Sequence, residues 1–201
     1  MRNESASPFF YTMNNTGKTG FRQIAVYLGS SKPAAQVYRQ AVIDFAVYLA
    51  DHDMTLIFGG SNAGMMKLLA DTMLERNGKV IGIFTKSLSQ RLFRDDLTEA
   101  VMTEDLAERK AEMLKRADAA VALPGSLGTF DELFDALAQR KLGAVSCPVG
   151  VLNINGFFDP VFELLKNSRE AGFSSAKTEA LLQSGKTPEE LFRKLEEQAA
   201  G

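Results

Sequence analysis

The chain has 201 residues, 45% of them hydrophobic and 24% charged, the composition of an ordinary globular domain and not of a disordered or low-complexity chain. With 23 basic and 25 acidic residues the formal net charge is −2, so there is no basic field to attract nucleic acid or an anionic membrane, and a small molecule is the expected partner. One cysteine and one histidine exclude an internal disulfide and a metal centre assembled from His and Cys.

The first twenty residues are polar, rich in Ser, Asn, Thr and Gly, and carry no periodicity, so a flexible extension is expected over 1–20 and a single domain over 21–201. The pattern then alternates. Short apolar runs at Ile24 to Leu28, Thr55 to Phe58, Val80 to Phe84, Ala100 to Thr103, Ala119 to Leu123 and Val149 to Asn153 read as strands. Between them, amphipathic segments read as helices at about Ala34 to Ala50, Ala63 to Arg76, Leu106 to Ala117 and Phe130 to Leu142, with further helical segments running to the C-terminus. Apolar runs without polar alternation suit strands covered on both faces, and the intervening helices supply the crossovers that parallel strands need. The expectation is an α/β fold: a doubly wound, Rossmann-like parallel sheet with helices on both faces. No apolar stretch approaches the roughly 20 residues that span a bilayer, and the N-terminal stretch lacks an apolar signal core. A cytoplasmic protein is expected. His52, in the polar DHD turn, reads as a surface residue, and Cys147, in an apolar stretch before Pro148, as a buried structural thiol.

In doubly wound sheets ligands bind beyond the carboxyl ends of the strands. Three glycine-bearing loops fall there: Gly29 to Ser31, Gly59 to Gly64 and Pro124 to Thr129. Each alone reads as a tight strand-to-helix turn. Together they read as an anion site, because glycine lets backbone N–H groups approach closely and a following helix adds its positive end. The candidate ligand-binding residues are Gly29 and Ser30, Gly59 and Gly60, and Gly125, Ser126, Leu127, Gly128 and Thr129. Two better-known phosphate motifs are absent. The GKT at Gly17 to Thr19 has Thr12 where a Walker loop needs glycine, and GSSKPA stands after the first strand in place of GxGxxG. No nucleotide cofactor is expected.

Glu132 admits two readings, since Thr129 and Glu132 have the spacing of a helix capping box, while a carboxylate so close to a phosphate loop is also placed for chemistry. Arg109 and Lys110 read alone as part of a solvated helix face, with Glu112 and Arg116 as an i, i+4 pair.

Taken together, ERKAEM at Glu108 to Met113 and ADAAVALPGSLGTFDEL after it resemble the signatures of the LONELY GUY (LOG) proteins, cytokinin riboside 5′-monophosphate phosphoribohydrolases also described as lysine decarboxylase-like. The likeness extends through YLGSS, FGGSNAGMM and CPVGVLNINGFFDP. It implies a Rossmann-like dimer that splits the N-glycosidic bond of a nucleoside 5′-monophosphate into free base and ribose 5-phosphate without metal or cofactor. It places the catalytic arginine on Arg109, the catalytic glutamate on Glu132 and the phosphate loop on Gly125 to Thr129, and Lys110 and Asp131 are expected among the substrate- and phosphate-binding residues. The chain departs from the family pattern at Ser126, where a second glycine is usual, and at Gln90 to Leu92, where a carboxylate thought to touch substrate is missing.

The chemistry agrees with those assignments. Breaking a glycosidic bond builds positive charge on the sugar, which a carboxylate stabilises while it orients or deprotonates the attacking water. A guanidinium at Arg109 can make forked hydrogen bonds to ligand oxygens or hold Glu132 ionised, where Lys110 offers only a point charge. Two other functions would suit the same scaffold: a non-catalytic carrier of a nucleotide or molybdenum cofactor, and an N-glycosidase for pyrimidine monophosphates.

Overall fold

The computed structural model describes residues 20–32, 35–86 and 94–200. Its centre is one sheet of seven parallel strands in the order β4-β3-β2-β1-β5-β6-β7. The strands are β1 (Gln23–Tyr27), β2 (Thr55–Phe58), β3 (Val80–Thr85), β4 (Glu99–Thr103), β5 (Ala119–Ala122), β6 (Val149–Leu152) and β7 (Leu182–Gly185). The helices are α1 (Gln36–Asp51), α2 (Gly64–Glu75), α3 (Leu106–Arg116), α4 (Leu127–Lys141), α5 (Asp159–Glu170), the single turn α6 (Ala176–Glu179) and α7 (Pro188–Ala200).

Strand alternation divides the interior in two. Ile24, Val26 and Leu28 of the first apolar run face a core shared with Phe45 and Leu49 of α1, Leu69 and Met73 of α2, and Phe192 of α7. Ala25 and Tyr27 face a second core with Met113 of α3, Leu133 and Ala136 of α4, and Phe158. Because both faces are covered, the inner strands are apolar over most of their length, and each fully buried large side chain is worth about 1.5–3 kcal/mol. Strand order reverses between β1 and β5, so α1 leaves the sheet on one side and α4 on the other. A crevice opens there at the carboxyl rim.

The expected strands and crossovers are present within a residue or two of their ends, with two corrections. The C-terminal stretch, expected to be helical throughout, contains β7, which pairs in parallel with β6. As an edge strand with the sequence LQSG it needs no apolar run, so the pattern hides it. The helix expected from Phe130 starts three residues earlier, at Leu127. The expected extension lies outside the described residues except for Gly20, whose N–H donates to Glu196 at 3.1 Å. The GKT motif and the altered segment at Gln90 to Leu92 lie outside them as well. Cys147 is buried, which pushes its thiol up to about 11. His52 ends α1, its ring stacked on Tyr48 at 4.0 Å.

Candidate active site

Strands β2, β1 and β5 are neighbours, so the three glycine loops meet on one stretch of the rim. They are also interlocked. The Gly29 N–H reaches the Pro124 carbonyl at 3.5 Å, and any side chain at Gly125 would collide with the Thr129 hydroxyl and the Gly29 backbone. Gly64 takes φ +55 against the Ser30 carbonyl, and the next N–H, of Met65, donates to Ser31 at 3.2 Å. Loop β1–α1 is thereby held between the other two. A cavity of about 150 Å³ occupies the crevice, and its lining includes Gly29, Gly125, Ser126, Tyr38, Met65 and Phe157.

Ser126 is the N-cap of α4, in extended conformation, and its side chain makes no capping hydrogen bond among the described residues. Ser126, Leu127 and Gly128 are exposed at the head of the helix. The backbone N–H groups of a first helical turn have no partner within their own helix, and the helix dipole adds positive potential. An anion is the natural ligand for such an end.

One turn further along α4, Glu132 is 4% exposed. Arg109, at the rim-facing part of α3, donates from Nη2 to Glu132 Oε1, and its side chain is only 12% exposed. Gly59 makes room for this pair, because a Cβ there would stand 3.0 Å from Arg109 Nη1. Burial pushes the Glu132 carboxyl up to about 7, against the opposing charge and hydrogen bond of Arg109. Burial also holds the Tyr27 phenol, at the end of β1, well above its ordinary value, with the Glu132 charge adding to the effect.

These positions correct two readings. Thr129 lies inside the helix and is not its N-cap, so Thr129 and Glu132 form no capping box. Arg109 is no part of a solvated face. Lys110, the next residue, is 18% exposed and turns to the outer carboxylates of α4. Its ammonium lies 3.0 Å from both oxygens of Asp131 and 3.8 Å from Asp135, so a ligand phosphate would have to share it with two carboxylates. The expected pair of Glu112 and Arg116 is formed at 2.6 Å.

The structure brings Gly29, Ser30, Gly59, Gly60, Arg109, Glu132 and Gly125 to Thr129 to one end of the sheet, and Lys110 and Asp131 to its outer edge. It adds residues that the sequence pattern did not single out. Tyr27 was read only as part of an apolar run. Phe157 is carried into the crevice by a turn that Asn153 braces, accepting from the Phe158 N–H at 2.8 Å and donating to Asp159 at 2.7 Å. Ser61 was visible inside GGSNAG, but its burial was not.

A family model described as possible lysine decarboxylase matches residues 66–195. The cytokinin riboside 5′-monophosphate phosphoribohydrolase LOG3 of Arabidopsis thaliana is 36% identical over 183 residues, covering 90% of this chain and 85% of that protein. The phosphoribohydrolase LOG of Oryza sativa subsp. japonica is 35% identical, covering 90% and 75% respectively. The chain belongs to the LONELY GUY family. Among solved structures, the molybdenum cofactor binding protein of Rippkaea orientalis aligns with this LONELY GUY chain at a TM-score of 0.64 and 22% identity, covering 86% of it and 93% of that chain. The molybdenum cofactor carrier protein of Chlamydomonas reinhardtii aligns at 0.64 and 18% identity, covering 90% and 99%. At those identities the likeness is one of fold, a sheet that LONELY GUY proteins and carriers share.

Proposed function

We propose that this protein hydrolyses the N-glycosidic bond of a nucleoside 5′-monophosphate, releasing the free base and ribose 5-phosphate. One observation carries the reading: a buried Arg109–Glu132 pair lies one helical turn behind the open N-terminus of α4. In this reading the 5′-phosphate sits on the backbone of Gly125 to Thr129, with the loops at Gly29, Ser30, Gly59 and Gly60 closing around it. The sugar then extends toward Glu132. As the C1′–N bond breaks, its electron pair leaves with the base, while Glu132 stabilises the cationic sugar and takes a proton from the attacking water, and that proton ends on the released base nitrogen. Arg109 holds the carboxylate ionised and in place. The reaction balances with water alone, without metal or cofactor. Lys110 and Asp131 tie α3 to α4 at the outer edge of the site.

The names of the relatives, cytokinin riboside 5′-monophosphate phosphoribohydrolases, support this class of substrate. The carrier alternative has the shared fold behind it, but a carrier has no use for a carboxylate buried beside an arginine. Incubation with a panel of purine, cytokinin and pyrimidine 5′-monophosphates, followed by chromatography, tests the reading. Released base is expected, with little from the matching nucleosides. Binding without release of any base would favour the carrier, and equal rates on nucleosides would remove the phosphate role of the Gly125 loop.

A cytoplasmic homodimer is part of the proposal. Val161, Phe162 and Leu165 of helix α5 pack partly buried on the second core, leaving an apolar surface at Leu164, 56% exposed, and Phe173, 85% exposed. An apolar face of that kind suits a second copy. Sedimentation at micromolar concentration should show a dimer, and a pure monomer would count against it. Among the described residues no helix is long and apolar enough to cross a membrane.

A further inference from the structure

The proposed reaction leaves the crevice cavity unused. It measures about 150 Å³, and its lining includes neither Arg109 nor Glu132. Val42 and Met65, which form part of its wall, belong to the first core, beneath α1 and α2. The catalytic pair rides on α3 and α4, which cover the second core through Met113, Leu133 and Ala136. A base bonded to a C1′ placed at Glu132 therefore stays with the opposite face of the sheet. What the two places share is backbone. Gly29 and Gly125 pack against each other, and together with Ser126 they line the cavity while also carrying the proposed phosphate loop.

The lining specifies the occupant. Among the described residues no charged side chain faces the cavity, and its polar side-chain groups are the hydroxyls of Ser31, Tyr38 and Ser126. An ion inside it would give up its hydration without a side chain of opposite charge, so the occupant is uncharged. An apolar cavity of this size holds one six-membered ring. Tyr38 and Phe157 meet edge to face, with ring centroids 6.0 Å apart at 77°, an arrangement that leaves aromatic surface for a third ring in stacked or tilted contact. Ser126, whose side chain makes no capping hydrogen bond, is available to a hydroxyl on that ring.

We propose that the cavity is a second binding site, for one uncharged aromatic ring of the size of phenol, and that its occupant sits beside a bound substrate and not in its place. Packed against Gly29, Gly125 and Ser126, the ring braces the backbone that the phosphate uses, so each ligand binds at least as well in the presence of the other. The separation from the substrate rests on the phosphoribohydrolase reading, which puts C1′ at Glu132; the ring site itself does not.

Phenol is the probe. Calorimetric titration of the wild-type protein with phenol should show one saturable site, and saturating ribose 5-phosphate should leave that affinity unchanged or raise it. Val42→Phe fills the cavity from its own wall and should abolish the titration, with a melting curve to show that the chain is folded. Tyr38→Ala, at a half-buried position, removes one aromatic partner and should weaken phenol by about three- to tenfold, the worth of one aromatic contact. Absence of binding, full affinity in both variants, or displacement of phenol by ribose 5-phosphate overturns the site. A nucleoside 5′-monophosphate that displaces phenol where ribose 5-phosphate does not would put the base in the cavity, and that also overturns it. If no monophosphate releases base, yet phenol binds with this dependence on Val42 and Tyr38, the ring site stands and the hydrolase reading falls.

Discussion

Two of the ion pairs that join helices α3 and α4 come from adjacent residues on each helix: Arg109 to Glu132 and Lys110 to Asp131. The first is enclosed, with side chains 12% and 4% exposed, and the second has an ammonium 18% exposed and a carboxylate 61% exposed. They differ in residue type, a forked guanidinium against a point charge, and only slightly in sequence separation. Rotation about the helix axis separates them further, turning one pair under the glycine loops and leaving the carboxylate of the other in solvent. In water a Lys–Asp pair is worth about 0–1 kcal/mol. Under the loops, the same chemistry becomes a carboxylate held near neutrality and a guanidinium with unused donors, which is the equipment of a catalytic site.

The comparison breaks most sharply at Glu132. Replacing it with Gln removes the charge and keeps the shape, and turnover should fall by roughly 10² to 10⁴, the usual worth of a positioned acid–base group. Base release is the measurement, with a melting curve to show that the fold survives. A Glu132→Gln enzyme at wild-type rate would falsify the catalytic role. Arg109→Ala should come next, with a loss on the order of 10² at pH 7. Without the guanidinium the Glu132 carboxyl should titrate above about 7, so raising the pH should recover part of the activity. A pH–rate profile with its limb unmoved would contradict the assignment of Arg109 as the group that keeps Glu132 ionised.

The pH dependence of the unmodified protein has opposite signs for rate and stability. Glu132 is raised from 4.5 to about 7, so its protonated form is favoured by the fold. Its contribution to stability is fully present below pH 4.5 and is lost as pH rises through about 7, by at most about 3 kcal/mol. Activity should rise over the approach to pH 7 as the carboxylate forms. Glu112 behaves inversely. Its hydrogen bond from Arg116 lowers its value, so its contribution is lost as pH falls. Denaturant titrations between pH 4.5 and 7 should show a downward slope in stability that Glu132→Gln flattens; an unchanged slope in the variant would assign it elsewhere.

The smallest effect belongs to the outer pair. Lys110→Ala should lower stability by less than about 1 kcal/mol and kcat/KM by only a few-fold, and the coupling of Lys110 to Asp131 in a double-mutant cycle should weaken in salt. A hundredfold loss of activity in Lys110→Ala would erase the distinction between the two pairs and place the ammonium on the ligand.

Much of the architecture was legible because it depends on local pattern. Apolar runs such as AAVAL can only be strands covered on both faces, and amphipathic segments of helical length between them force parallel crossovers. The loops at Gly29, Gly59 and Gly125 were legible for a similar reason: they follow strand ends, where ligands bind in this fold. Strand β7 was not, because an edge position relieves LQSG of the need to be apolar. The start of α4 was misplaced since Ser126, Leu127 and Gly128 look like loop residues, and only the tertiary contacts at Gly125 and Thr129 reveal a helix already under way.

By itself, then, the order of residue types determined the doubly wound sheet, the rim that carries the site, and, through its likeness to the LONELY GUY family, the two residues assigned to its chemistry. Tertiary structure decided their state. Burial is set by which elements pack over a side chain from distant parts of the sequence. The neutral-range carboxyl of Glu132, the enclosure of Arg109 against Gly59 and the exposure of Asp131 beside a mostly covered Lys110 all exist only once three loops and two helices have closed over one end of the sheet.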